Sequence, residues 1–194
     1  MARGSMKRRW MIVGIGAVAL ALGVAFFTRG MGFTARATPW PLEERLALAA
    51  RRWATPAAAR GQANPVALSK ESLASGMAHW ADHCATCHAN DGGGSALGRS
   101  FYPPAPDMRL PRTQALTDGE LFYVIERGIP FTGMPAWGNG TAAGERDSWE
   151  LVHFIRRLPG LTAGEIREME KLNPKSAAEL EQERHIQEFL KGGK

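Results

Sequence analysis

From Met11 to Phe27 every position is apolar or glycine, and Trp10 extends the uncharged run by one. At about 1.5 Å per residue such a run spans roughly 27 Å as a helix, close to the hydrocarbon thickness of a bilayer. Lys7, Arg8 and Arg9 stand immediately before it. The pattern predicts a transmembrane anchor over 10–27, with residues 1–9 as a cytoplasmic leader and everything after Phe27 exported. A cleaved secretory signal is the competing reading, because Ala35-Arg36-Ala37 has the small-x-small form of a cleavage site. Against it, the apolar run exceeds an ordinary signal core, and Ala37 lies ten residues beyond Phe27.

Residues 28–68 read as a tether. Thr28-Arg29-Gly30-Met31-Gly32 is flexible in composition, and Pro39, Pro41, Pro56 and Pro65 punctuate the remainder of the segment. Inside the tether, Leu42, Leu46, Ala49, Ala50 and Trp53 recur at helical spacing beside Arg45, Arg51 and Arg52. This short amphipathic helix has two readings: it lies on an anionic membrane surface, or it packs its Leu/Trp face on the folded domain.

The compact pattern begins at Ser69. Ser69 caps a helix running to about Cys84. Thr117-Asp118-Gly119-Glu120 is a capping box whose helix stops at Gly128. A third helix near 145–158 aligns Trp149, Val152 and Ile155 and ends at Pro159-Gly160. No run alternates as strands do, so residues 69–160 form an all-α domain. Residues 161–194 form a polar helical tail, with capping boxes at Thr162-Ala163-Gly164-Glu165 and Ser176-Ala177-Ala178-Glu179.

Composition and charge narrow the function. Apolar residues make up 44% and charged residues 22% of the 194, which excludes a disordered chain. The net charge of +5 invites a nucleic-acid reading until it is located. Residues 1–68 hold ten Lys/Arg against only Glu43 and Glu44, whereas residues 69–160 hold eight basic and ten acidic side chains. The basic excess belongs to the anchor and tether, and no nucleic-acid partner is expected.

The long loops over 91–111 and 128–140 need a core that three helices do not supply, and a large prosthetic group would provide it. The only two cysteines stand in Cys84-Ala85-Thr86-Cys87-His88, the C-x-x-C-H signature of c-type haem attachment. Two thiols one helical turn apart reach two vinyl groups on one porphyrin edge, and the adjacent imidazole points at the iron. A thioredoxin-type disulfide needs a βαβ context that is missing. A metal site using His79 and His83, four residues apart, with the cysteines is the other alternative.

The stretch from Gly76 through Trp80 to Cys84, Cys87 and His88 resembles the opening of class I monohaem c-type cytochromes, here of a membrane-anchored bacterial type. Leu151 and Phe154 resemble that family's contact pair on the last helix. In that family a methionine thioether usually completes the iron's coordination, and position in the chain leaves Met108 and Met134, since Met77 is too close to Cys84 and Met169 lies in the polar tail. Gly133-Met134-Pro135 resembles the family's distal loop, which implies Met134 as the sixth ligand. The resemblance covers about 69–160. It implies a class I cytochrome c fold, with three main helices around one haem c bound through Cys84 and Cys87 and ligated by His88 and Met134. It also implies that a proline carbonyl, of Pro103 or Pro104, accepts a hydrogen bond from His88. Trp137, Arg112 and Arg127 are candidate partners for the haem propionates.

The expected function is one-electron transfer between a redox donor and acceptor on the periplasmic side of a bacterial inner membrane. With both axial positions filled, neither catalysis nor a small-molecule substrate is expected. The alternatives are a haem subunit of a larger oxidoreductase, or a haem peroxidase or ligand-sensing cytochrome with a displaceable sixth ligand.

Overall fold

The computed structural model describes residues 2–31 and 34–190. The chain divides after Ala37 into two units. The first is one helix, α1 (Ala2–Met31), which continues through the Thr28–Met31 stretch expected to be flexible. Thr28 lies within it, its hydroxyl donating to the Val24 carbonyl at 2.9 Å. Over Arg8–Gly30 this helix is long and apolar enough to cross a membrane.

The second unit is helical throughout, and its described residues contain no strand. It comprises α2 (Pro41–Ala54), α3 (Ala57–Arg60), α4 (Lys70–His79), α5 (Ala85–His88), α6 (Ala96–Arg99), α7 (Pro111–Gln114), α8 (Asp118–Arg127), α9 (Ala142–Arg157), α10 (Ala163–Glu170) and α11 (Ala177–Leu190). The caps expected from sequence are in place. Ser69 accepts from Ser72 N at 3.1 Å at the start of α4. Thr117 and Glu120 exchange side-chain-to-backbone bonds of 2.8 and 3.1 Å at the start of α8. Each such cap satisfies amide groups that a helix end leaves unpaired.

The core is the crossing of α4 and α9. Gly76 is buried there, and a Cβ at that position would run into the Glu150 carbonyl. Trp80 and Phe154 fill the space beside it with ring centroids 5.9 Å apart, and Leu151 and Val152 complete the buried layer. Absence of a side chain at Gly76 is therefore what sets the distance between the two helices. On the other side, Phe122 of α8 stacks on Trp149 with centroids 4.1 Å apart.

Two segments bind more tightly to this core than their sequences suggest. The second half of the expected 28–68 tether is part of the folded unit. Asn64 Nδ2 donates to the Trp149 carbonyl at 2.9 Å, His153 Nε2 lies 2.8 Å from the Val66 carbonyl, and Thr117 donates to the Arg60 carbonyl at 2.8 Å. Gly119 lets α3 approach α8, since a Cβ there would meet the Ala59 carbonyl.

The tail is likewise divided. Met169 of α10 is completely buried in the core, and Arg157 bonds Glu165 at 3.1 Å. In the amide orientation that satisfies both of its ends, Asn173 donates to Asn90 Oδ1 at 2.9 Å and to the Ala81 carbonyl at 3.1 Å. By contrast, α11 leaves Ile186, Phe189 and Leu190 exposed.

The reading in which α2 packs its Leu/Trp face on the domain is also corrected. Leu42, Leu46 and Trp53 are 65%, 63% and 89% exposed. What fastens α2 is its polar edge. Glu43 accepts from the Tyr102 hydroxyl at 2.7 Å, Glu44 pairs with Arg112, and Arg51 is half-buried. Burial, with Arg112 nearby, lowers the Arg51 pKa.

Candidate functional site

The C-x-x-C-H motif follows a change of helical register. Between α4 and α5, residues Trp80–Cys84 form a π turn, in which the Ala85 amide reaches back to the Trp80 carbonyl. Such wide turns are rare and concentrate at functional sites. The extra residue brings Ala85 round to the side of Trp80 and Ala81, and all three are buried. Cys84, Cys87 and His88 remain partly accessible on the adjoining face.

The chain turns sharply after His88. Ala89 takes a positive φ of 60°, and its carbonyl accepts from Trp80 Nε1 at 3.1 Å. The next loop is sewn back onto the motif: Gly94 N donates to the His88 carbonyl at 2.8 Å and Ser95 N to the Cys87 carbonyl at 3.0 Å. Gly98 sits so close that a Cβ would meet the Cys87 carbonyl. His88 itself leans on Trp80, ring centroids 5.7 Å apart.

Both cysteines are free thiols. Burial, with Cys87 beside it, pushes the Cys84 thiol up to about 12. A thiol held neutral is a poor redox nucleophile and a poor metal ligand, since the thiolate performs both roles. This argues against the thioredoxin-type alternative. Thioether formation, by contrast, adds a thiol S–H across a vinyl group.

Burial also lowers the His88 pKa, while the Pro106 backbone carbonyl acts in the opposite sense. His88 Nδ1 is buried and makes no hydrogen bond of normal geometry. The Pro106 carbonyl that acts on His88 lies in the same proline-rich loop as the expected Pro103 and Pro104. The path of the 101–107 loop carries Ala105 N to the Gly98 carbonyl at 2.9 Å, and it is the residue after Ala105 that acts on the ring.

Met134 lies on a short loop pinned at both ends to the C-terminus of α8. The Ile129 amide donates to the Met134 carbonyl at 3.1 Å, and the Trp137 amide to the Ile125 carbonyl at 3.0 Å. Thr132 braces the tip, accepting from Met134 N at 3.1 Å and donating to the Ile129 carbonyl at 2.8 Å. Gly128 allows the loop to fold back at a φ of 66°, a conformation in which a side chain is strained.

Two contacts bring this loop to the attachment side. Gly133 faces the Phe101 ring so closely that a Cβ would lie 2.8 Å from it. Trp137 meets His83 edge-on, with centroids 5.2 Å apart. Met108, the rival sulfur, is already engaged, accepting from the Thr113 hydroxyl at 3.7 Å and packing against the core.

Of the other expected residues, Arg112 is paired with Glu44, while Arg127 and Trp137 are exposed. Phe131, on the Met134 loop, is fully exposed. His79 and His83 stack edge-on at 4.8 Å. Among the described residues no three or more His, Cys, Asp or Glu gather as metal ligands.

The arrangement fits a covalently attached haem. It offers two free thiols and a half-buried imidazole whose buried Nδ1 makes no hydrogen bond of normal geometry. Sequence reasoning did not foresee the contacts of Gly133 with Phe101 and of Trp137 with His83, since each depends on where loops cross.

Residues 71–155 match the family described as Cytochrome C oxidase, cbb3-type, subunit III. No curated protein and no solved structure matches the chain. The matched segment begins in α4 and ends in α9, and it contains the motif, the Met134 loop and the helix crossing described above. The helical domain built around the α4–α9 crossing is thus a c-type cytochrome of the class I fold.

Proposed function

We propose that the protein is a membrane-anchored electron carrier with one haem c, attached through Cys84 and Cys87 and ligated by His88 and Met134. It works on the periplasmic side of a bacterial inner membrane, between a redox donor and acceptor. The observation that carries the reading is the C-x-x-C-H motif at 84–88, lying within the cytochrome domain with its histidine half-buried against Trp80. The apolar helix over Arg8–Gly30, preceded by Lys7, supports the anchor and its orientation.

When bound, haem supplies a one-electron ferric/ferrous couple. Cys84 and Cys87 fix it to the chain. His88, whose pKa burial lowers, would present a neutral ring lone pair to the iron. Met134 supplies a thioether, which favours the ferrous state and raises the reduction potential. Gly133 lets the Met134 loop close against Phe101 on the attachment side. With His88 and Met134 both holding the iron, the haem would transfer electrons rather than act on a substrate.

A second reading, a dedicated haem subunit of a larger oxidase, is favoured by the description of the matched family. Purification from native membranes separates the two, because a subunit co-purifies in fixed ratio with its complex and a shuttle does not. The ligation is tested by Met134→Ala. The ferric wild type should be low-spin, with the weak red charge-transfer band of methionine ligation, and the variant should lose that band and become high-spin. A wild type that is already high-spin, or a variant with an unchanged spectrum, refutes the assignment.

A further inference from the structure

The two long edges of α2 face different surroundings. At about 100° per residue, Leu42, Leu46, Ala49 and Trp53 form one stripe, and Glu44, Leu48 and Arg51 lie on the opposite side. The opposite side is the one applied to the domain, where all three residues are partly covered. The stripe is exposed along its length, as are Arg45 and Arg52, which flank it on one edge. This reverses the ordinary arrangement, in which a helix hides its apolar face and shows its polar one.

Charge decides what covers the stripe. The two acidic residues of α2 are drawn to the domain side, Glu44 by Arg112 and Glu43 by the Tyr102 hydroxyl. What remains outward is an apolar strip with two arginines beside it. That is the form of a helix lying in an interface, its apolar residues in the acyl boundary and its guanidinium groups among anionic headgroups. Chain length confines the choice further. Ten residues separate Gly30, the end of the apolar span, from Pro41. They reach roughly 35 Å at most when fully extended. A helix so tethered meets the bilayer at high effective concentration, so even a weak interfacial preference is realised.

We propose that the outer face of α2 is a membrane-docking surface, seated on the anionic headgroup layer of the bilayer that the N-terminal helix crosses. The proposal rests on the anchor reading above. It gives the cytochrome domain a defined attitude on the membrane, because α2 is fastened to that domain through Tyr102 and Arg112.

The test uses the full haem-loaded chain, in which Cys84 and Cys87 are consumed and an introduced cysteine is the only free thiol. Ala49→Cys on the stripe and Glu170→Cys on α10 are spin-labelled, and the reduced protein is reconstituted in phosphatidylglycerol or phosphatidylcholine vesicles. Collisional broadening by oxygen, which concentrates in the bilayer, is compared with broadening by a water-soluble nickel chelate. In phosphatidylglycerol the label at 49 should favour oxygen, and the label at 170 nickel. Replacing Arg45 and Arg52 by alanine should lower the ratio of docked to undocked label about thirty-fold.

Equal nickel access at 49 and 170 overturns the proposal. So does docking that ignores both the arginines and the lipid charge, or dipolar coupling between labels, which would place a second copy on the face. A chain that fails to float with vesicles overturns the anchor reading itself, whereas a chain that floats with position 49 in water overturns only the docking.

Discussion

Replacing Gly76 by alanine places a methyl group at the closest approach of α4 and α9. The new Cβ would collide with the Glu150 carbonyl and lie 3.1 Å from the Phe154 Cβ. That carbonyl is part of the α9 backbone and has no freedom to swing aside, so the two helices must separate. Overfilling a packed core costs about 1–3 kcal/mol, and the upper end applies because Trp80, Leu151 and Phe154 all lose contact when the crossing opens. Alanine's higher helix propensity offsets about 1 kcal/mol. The net loss is about 2 kcal/mol, or roughly 4–8 °C in midpoint for a domain of this size. Guanidinium unfolding of the haem-loaded chain, followed by circular dichroism, measures it. Gly164→Ala is the control, since its Cβ meets only Thr162 Oγ1 at 3.7 Å. It should change stability by less than about 0.5 kcal/mol. If Gly76→Ala is as stable as that control, the close crossing is not what the glycine is for.

Met108→Ala should cost about 2 kcal/mol, because the side chain packs on the core, yet leave the ferric spectrum unchanged. Loss of the methionine band in that variant would transfer the ligand assignment from Met134. Met169→Ala should cost about 2–5 kcal/mol in the same unfolding assay, and a neutral result would return α10 to the status of a loose tail. Burial, with His83 adding to it, lowers the His79 pKa below the ordinary value of 6.5. Between that value and the lowered one the unfolded chain binds a proton that the folded chain refuses. Stability should therefore fall as pH drops below 6.5 and level off at lower pH, and His79→Gln should flatten that decline. An unchanged slope in the variant would refute it.

What could be read from the chain was what is local in it. Cys84, Cys87 and His88 lie within five consecutive residues. The Ser69 and Thr117 caps lie within single turns. The pairing of Gly76 and Trp80 with Leu151 and Phe154 came from a family resemblance, since the two groups are about seventy residues apart. The readings that failed depend on contacts across the chain. Met169 sits between Glu168 and Glu170, so its window reads as polar although the residue itself is buried. Helix α2 announces an apolar stripe, but its attachment by the opposite edge depends on Tyr102 and Arg112, 59 and 68 residues away from their partners. The influence of the Pro106 carbonyl on His88 reflects the path of a proline-rich loop, which spacing alone does not specify.

The central claim is that Cys84 and Cys87 hold one haem covalently, and the pyridine haemochrome spectrum tests it most directly. For protein produced together with haem-attachment machinery, the account predicts a c-type spectrum, one haem per chain, that survives acid-acetone extraction and is lost in the double variant Cys84→Ala/Cys87→Ala. A b-type spectrum, an extractable haem, or no haem at all would contradict it.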